Sequence, residues 1–211
     1  PLMVHVGDYI TSDPIARELA PVLLNEVLTA GDIVTHTTSH QIGALLGADG
    51  MLFPEVRSAR DRGVLFDTGV GMRNFTFESA RTVLDQDFLP DTISSDLTVE
   101  GRDSPTHSLT ECMNKYMALG MSLEDVILCT TSRPASALDM SDKLGTIAVG
   151  READLTVMDH TEGDWVYRDR FGGSLRAQHK ALTPRLVIRS GELLTPDFGP
   201  RPWGWLPETA A

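Results

Sequence analysis

Pro90–Thr98, PDTISSDLT, reads as a short strand over Asp91–Ser95 that delivers a carboxylate, Asp96, at its C-terminal end. Two earlier stretches have the same build. LMVHVGD over residues 2–8 carries His5, and DIVTHTTSH over residues 32–40 carries His36. Each is an apolar, β-rich run with a polar residue at or near its carboxyl end, followed by a helical segment. In an open or closed sheet of parallel strands, those ends converge on one face. Two imidazoles and a carboxylate meeting there suit a metal-dependent hydrolase: neutral imidazole nitrogen and carboxylate oxygen hold Zn, and also Mn, Fe or Ni. Asp96 then fits as the group that takes a proton from bound water and passes it on.

Other elements fall around these. Asp13-Pro14 starts a helix running to about Leu28, with Pro21 kinking it or splitting it in two. Ile33–His36 is the second strand, and residues 37–51 form a polar, Gly-rich loop. A helix over Pro54–Arg62 stops at Gly63, and Val64–Asp67 is the third strand. Gly69-Val70-Gly71 is a turn that lets backbone approach something closely, and Arg73 nearby reads either as a binder of anionic substrate or as a residue facing water. Helices follow over Phe77–Asp85, Leu109–Leu119 and Leu123–Thr130, the last opened by the capping pair Ser122 and Asp125. A further turn or two runs from Arg133 to Leu138. Four strand–helix units at a spacing of roughly 30 residues predict a parallel sheet, and amount to about half of a (β/α)8 barrel.

The pattern changes at Lys143. Short alternating runs at Thr146–Val149, Ala153–Met158, Trp165–Arg168 and Leu186–Arg189, punctuated by Gly145, Gly150, Gly163 and Gly191, predict a small β domain. The expected divisions are residues 1–140, 141–195 and a Pro/Gly-rich tail over 196–211 that packs on a neighbour. Of the remaining histidines, His40, His107, His160 and His179 read as loop or surface residues. Cys112 and Cys129 read as core, since neither has an adjacent base.

The 211 residues are 41% hydrophobic and 23% charged, with a net charge of −12. That charge argues against nucleic acid or an anionic membrane as partner. No apolar run reaches the length of a membrane span. Two cysteines in helical segments form no Zn pattern, which leads to the expectation of a reducing, cytoplasmic setting.

The blocks PLMVHVGD, GDIVTHTTS, GVLFDTGVG, PDTISSDLT, MALGMSLEDVILCTTSRPASAL and KLGTIAVGREADLTVMD, in this order, resemble the amidohydrolase superfamily, and within it the dihydroorotase-like group of deacetylases. The resemblance runs from Pro1 to about Leu194. It implies an α/β fold, the C-terminal half of a (β/α)8 TIM barrel followed by part of a small β-sandwich. The strands at Pro1–Gly7, Ile33–His36, Val64–Asp67 and Thr92–Asp96 become the fifth to eighth of the barrel. It further implies a site for two divalent metal ions, Zn first among them. His5 and His36 would bind one ion; Asp96 would bind the other and shuttle the proton. Gly69, Gly71 and Arg73 would meet the substrate. The superfamily's other ligands, a His-x-His pair and a bridging, carboxylated Lys, have no counterpart after Pro1. A preceding segment, a companion chain or tight self-association is therefore expected. In the deacetylase group a histidine commonly stands where this chain has Val70.

The reaction expected on this reading is hydrolysis of an amide or ester of a small acyl-substituted acid, with a metal-bridging hydroxide as nucleophile. A cyclic-amide hydrolase of the dihydroorotase type and a non-catalytic, degenerate relative are the alternatives.

Overall fold

The computed structural model describes residues 1–7, 14–102 and 106–210. Three short strands, β1 (Met3–His5), β2 (Ile33–Thr35) and β3 (Leu65–Phe66), form a parallel sheet in the order β1-β2-β3. Their register pairs His5 with Thr35 and Val34 with Phe66. The segment that carries Asp96 is not a full strand. It joins β3 through a single parallel bridge, Asp67 to Thr92, and then follows the β3 turn by bonds from the amides of Thr68, Val70 and Gly71 to the carbonyls of Thr92, Ser94 and Ser95. Side-chain hydroxyls supplement the ladder here: Ser94 N donates to Thr68 Oγ1 at 3.1 Å.

Helices pack outside this sheet. The stretch after Asp13 is broken as its proline suggests, into a 3-10 turn (Pro14–Glu18), α1 (Leu19–Val22, containing Pro21) and a π turn (Leu23–Val27). Asp13, expected as its N-cap, lies outside the described residues. Next come α2 (Pro54–Asp61), α3 (Phe77–Leu84), α4 (Leu109–Ala118), α5 (Leu123–Thr130) and α6 (Ser132–Ala137). Their starts are chemically marked. Thr76 Oγ1, Ser108 Oγ and Ser122 Oγ accept from the amides of Ser79, Glu111 and Asp125. Gly120, at φ +110°, follows the end of α4. Val34, Phe66, Leu24, Val56 and Phe88 make a core beneath the sheet. The loop over residues 37–51 is less open than its composition suggests, because Thr37, Thr38, Ser39, Ala44 and Leu45 are buried.

The C-terminal third is a long antiparallel hairpin, β4 (Leu155–Arg168) and β5 (Ser174–Arg189), flanked by β6 (Glu192–Leu194) and β7 (Glu208–Thr209) in the order β6-β5-β4-β7. This corrects the expectation of four short strands. Residues 146–149 form no strand, and Gly163 does not interrupt β4. The Trp165 ring lies over the bare Gly163 backbone, where a Cβ would overlap it, and so covers the gap a glycine leaves on a strand. A second core joins this sheet to the helices: Phe75, Cys112, Met113, Tyr116, Trp165, Tyr167 and Leu182 are in one cluster. Asn114 of α4 clamps the backbone of Leu182, donating to its carbonyl at 2.9 Å and accepting from its amide at 2.8 Å. His107 and His179 are half-buried rather than surface residues, and the Tyr167 hydroxyl lies 2.7 Å from His179 Nε2.

Candidate metal site at the carboxyl ends of the strands

His5 ends β1 and His36 directly follows β2, so the parallel register sets the two rings side by side, with centroids 4.2 Å apart. His5 is exposed and His36 buried. Each ring has one nitrogen engaged by a carbonyl. His5 Nε2 is 2.9 Å from Gly7 O, and His36 Nδ1 is 2.7 Å from Gly69 O. In a neutral ring the nitrogen facing a carbonyl carries the proton, and the other, Nδ1 of His5 or Nε2 of His36, keeps its lone pair. This is the arrangement that prepares imidazole as a metal ligand. Burial lowers the pKa of His36, while the Gly69 carbonyl, Asp96 and Asp67 pull it the other way; the net effect favours the neutral, ligating form.

His36 has φ +71°, and Asp96 has φ +43°; both are left-handed, an uncommon state for residues with side chains. Asp96 is exposed on its turn and acts on His36 through its charge. Among the described residues, no three His, Cys, Asp or Glu side chains stand together as a metal cage. The two imidazoles fit a metal ion; a complete ligand set needs further groups.

The glycines of the β3 turn act by absence. Gly69, at φ +46°, passes under His36, and a Cβ there would lie 2.6 Å from its Nδ1. Gly71, at φ +53°, passes Asp96, whose Oδ2 a Cβ would overlap. Arg73 is exposed nearby, its carbonyl accepting from Gln41 Nε2 at 3.1 Å. Val70 is fully buried in the second core, so its side chain does not line this surface. A cavity of about 610 Å³ opens at the other, amino end of the strands, bordered by Gly31, Gly63, Asp91 and Arg133. We place the site at the carboxyl ends, where the ligand-type residues are.

Whereas Asp96 faces solvent, the carboxylate enclosed behind the site is Asp67, 2% exposed. Its signal was present in the FDT of GVLFDTGVG, an acid closing an apolar strand.

A model of the amidohydrolase family matches residues 46–194. The chain belongs to the amidohydrolase family. It is 30% identical to a deacetylase of Brucella anthropi over 198 residues, covering 92% of this chain and 46% of that protein. It is 31% identical to a deacetylase of Agrobacterium fabrum, covering 92% of this chain and 45% of that protein. The chain thus spans about half the length of the curated relatives it matches. Among solved structures, it resembles an adenine deaminase with a TM-score of 0.81 at 27% identity, covering 93% of this chain and 51% of that one. It resembles a dihydroorotase with a TM-score of 0.76 at 29% identity, covering 92% and 48%. The amidohydrolase-family fold is mixed α/β, and no helix among the described residues is long and apolar enough to cross a membrane.

Proposed function

We propose that this amidohydrolase-family chain is the C-terminal half of a (β/α)8 barrel in a metal-dependent hydrolase that removes an acyl group from a small acid. The observation that carries the reading is the His5–His36 pair, with rings adjacent and one nitrogen of each committed to a backbone carbonyl. The curated relatives named deacetylases support the reaction class.

His5 through Nδ1 and His36 through Nε2 would hold a divalent ion, with Zn the first choice for such donors. Asp96 would reach a second ion, the other ligands coming from outside the described residues. When bound, such ions polarise the substrate carbonyl and make water acidic enough to attack near neutral pH. The chain's part is to aim both imidazoles and, by burial, to favour the neutral form of His36. Asp96, on an exposed turn, can take a proton from the attacking water and hand it to the leaving group. Arg73, near the β3 turn, would meet an anionic group of the substrate.

Metal content by elemental mass spectrometry, with a screen of N- and O-acetylated acids against the whole protein, tests this. Bound divalent metal with acetate release is the expected result. Absence of metal and of turnover overturns the reading in favour of a non-catalytic relative. Ring opening of dihydroorotate without acetate release would favour the second reading, a cyclic-amide hydrolase, which the likeness to a dihydroorotase supports.

A further inference from the structure

Three hydroxyls from two segments converge on the buried carboxylate of Asp67. Thr35 Oγ1 donates to Oδ2 at 2.7 Å, Ser94 Oγ to Oδ2 at 2.6 Å and Thr92 Oγ1 to Oδ1 at 2.6 Å. The backbone of Asp67 is held as firmly. Its amide donates to Val34 O at 2.8 Å, and its carbonyl accepts from Thr37 N at 3.1 Å and Thr37 Oγ1 at 2.6 Å. Asp67 therefore grips the residue before His36, the residue after it, and the two-residue ladder that leads to Asp96.

His36 and Asp96 are the site's left-handed residues other than glycine. A non-glycine residue stays in that conformation only where its surroundings fix it. Thr35 and Thr37 fix His36, and both bind Asp67. Thr92 and Ser94 lead into Asp96, and both bind Asp67. An ionised carboxylate accepts and never donates, so it can orient all three hydroxyls at once. An amide cannot: one of its two ends must donate.

We propose that Asp67 is a positioning residue that sets His36 and Asp96 relative to each other as ligands. This rests on the metal-hydrolase reading above. It differs from a role in the core alone, because the groups that Asp67 holds flank the two candidate ligands. Asp67→Asn keeps the size and removes the all-acceptor character.

The test is cobalt(II) titration of the whole protein, followed by its visible ligand-field bands and by calorimetry. The expected result for Asp67→Asn is a loss of cobalt affinity of about 10–100-fold, the usual cost of removing a group that orients ligands, with bands altered in position or intensity. Lower thermal stability with wild-type affinity and bands would overturn the proposal and leave Asp67 a fold residue. Should Asp67→Asn fail to fold, Thr35→Val and Thr92→Val decide: altered bands in these folded variants support it, and wild-type bands overturn it. Wild-type protein that takes up no cobalt overturns the metal reading, and this inference with it.

Discussion

The guanidinium of Arg201 is buried against the carboxylate of Glu111, 90 residues earlier in the chain. The ion pair fastens the segment after residue 196 to α4. Lys115, one turn along, is 3.9 Å from Glu111 and donates to the carbonyl of Arg168 at 3.0 Å, so segment, helix and hairpin meet at one charged cluster. Removing one partner of a buried pair strands the other in low dielectric. Arg201→Ala is expected to cost about 3 kcal/mol, the low end for such pairs because Lys115 remains beside Glu111. Urea unfolding measures it; a loss under about 1 kcal/mol would show that the pair contributes no more than a surface bridge.

Gly69→Ala is expected to disturb the candidate metal site. The new methyl would press on Thr35 Oγ1 and on His36 Nδ1 and displace the ring from the Gly69 carbonyl. The expected outcome is at least about a tenfold loss of metal affinity, as for other losses of a hydrogen bond to a ligating histidine. Isothermal titration with zinc checks it, and unchanged affinity would mean that His36 is not held by this contact.

Asp96→Asn keeps the turn and its exposure while removing the basic oxygen. Loss of a positioned proton carrier lowers turnover by about 10²-fold or more. Steady-state kinetics on the whole protein with its best acyl substrate provide the readout. Wild-type kcat would remove Asp96 from the proton path.

The thiol of Cys112 gives a pH test of the second core. Burial pushes its pKa from 9.0 up to about 12. Between those values the unfolded chain has lost the proton and the folded chain has kept it, so stability falls as pH rises. Tyr116 and Tyr167, raised by burial, act in the same direction at higher pH. Lys115, lowered by burial, acts in the opposite direction below its ordinary 10.5. Comparing wild type with Cys112→Ala isolates the thiol. The gap in unfolding free energy should change by about 1.4 kcal/mol between about pH 8 and pH 10, in favour of the variant. A gap that does not move with pH would mean that the thiol ionises alike in both states.

The local signals of this fold are readable without coordinates. Ser122 caps a helix, Gly63 follows one, and Pro21 stands where another is broken, because these effects act within a few residues. His5 and His36 were readable as a pair, since strand–helix rhythm alone brings successive strand ends to one face. Misreadings arose where distant groups decide. Of the four short runs after Lys143, the last three fall in one hairpin, because cross-strand pairing continues through Gly163, which the Trp165 ring covers. The segment before Asp96 formed one bridge instead of a strand, its remaining bonds being shared with the hydroxyl of Thr68 and the turn at Val70–Gly71.

By itself, the sequence determined the parallel strand–helix order through the spacing of its apolar runs, its motif blocks carried the resemblance to the family, and it offered His5, His36 and Asp96 as candidate ligands. Tertiary structure alone decided which carboxylate is enclosed. Asp67 and Asp96 both close apolar runs, and nothing in their neighbours ranks them. Asp67 tolerates burial because Thr35, Thr92 and Ser94, up to 32 residues away, turn three hydroxyls onto it. Asp96 has no such enclosure and stays in contact with water.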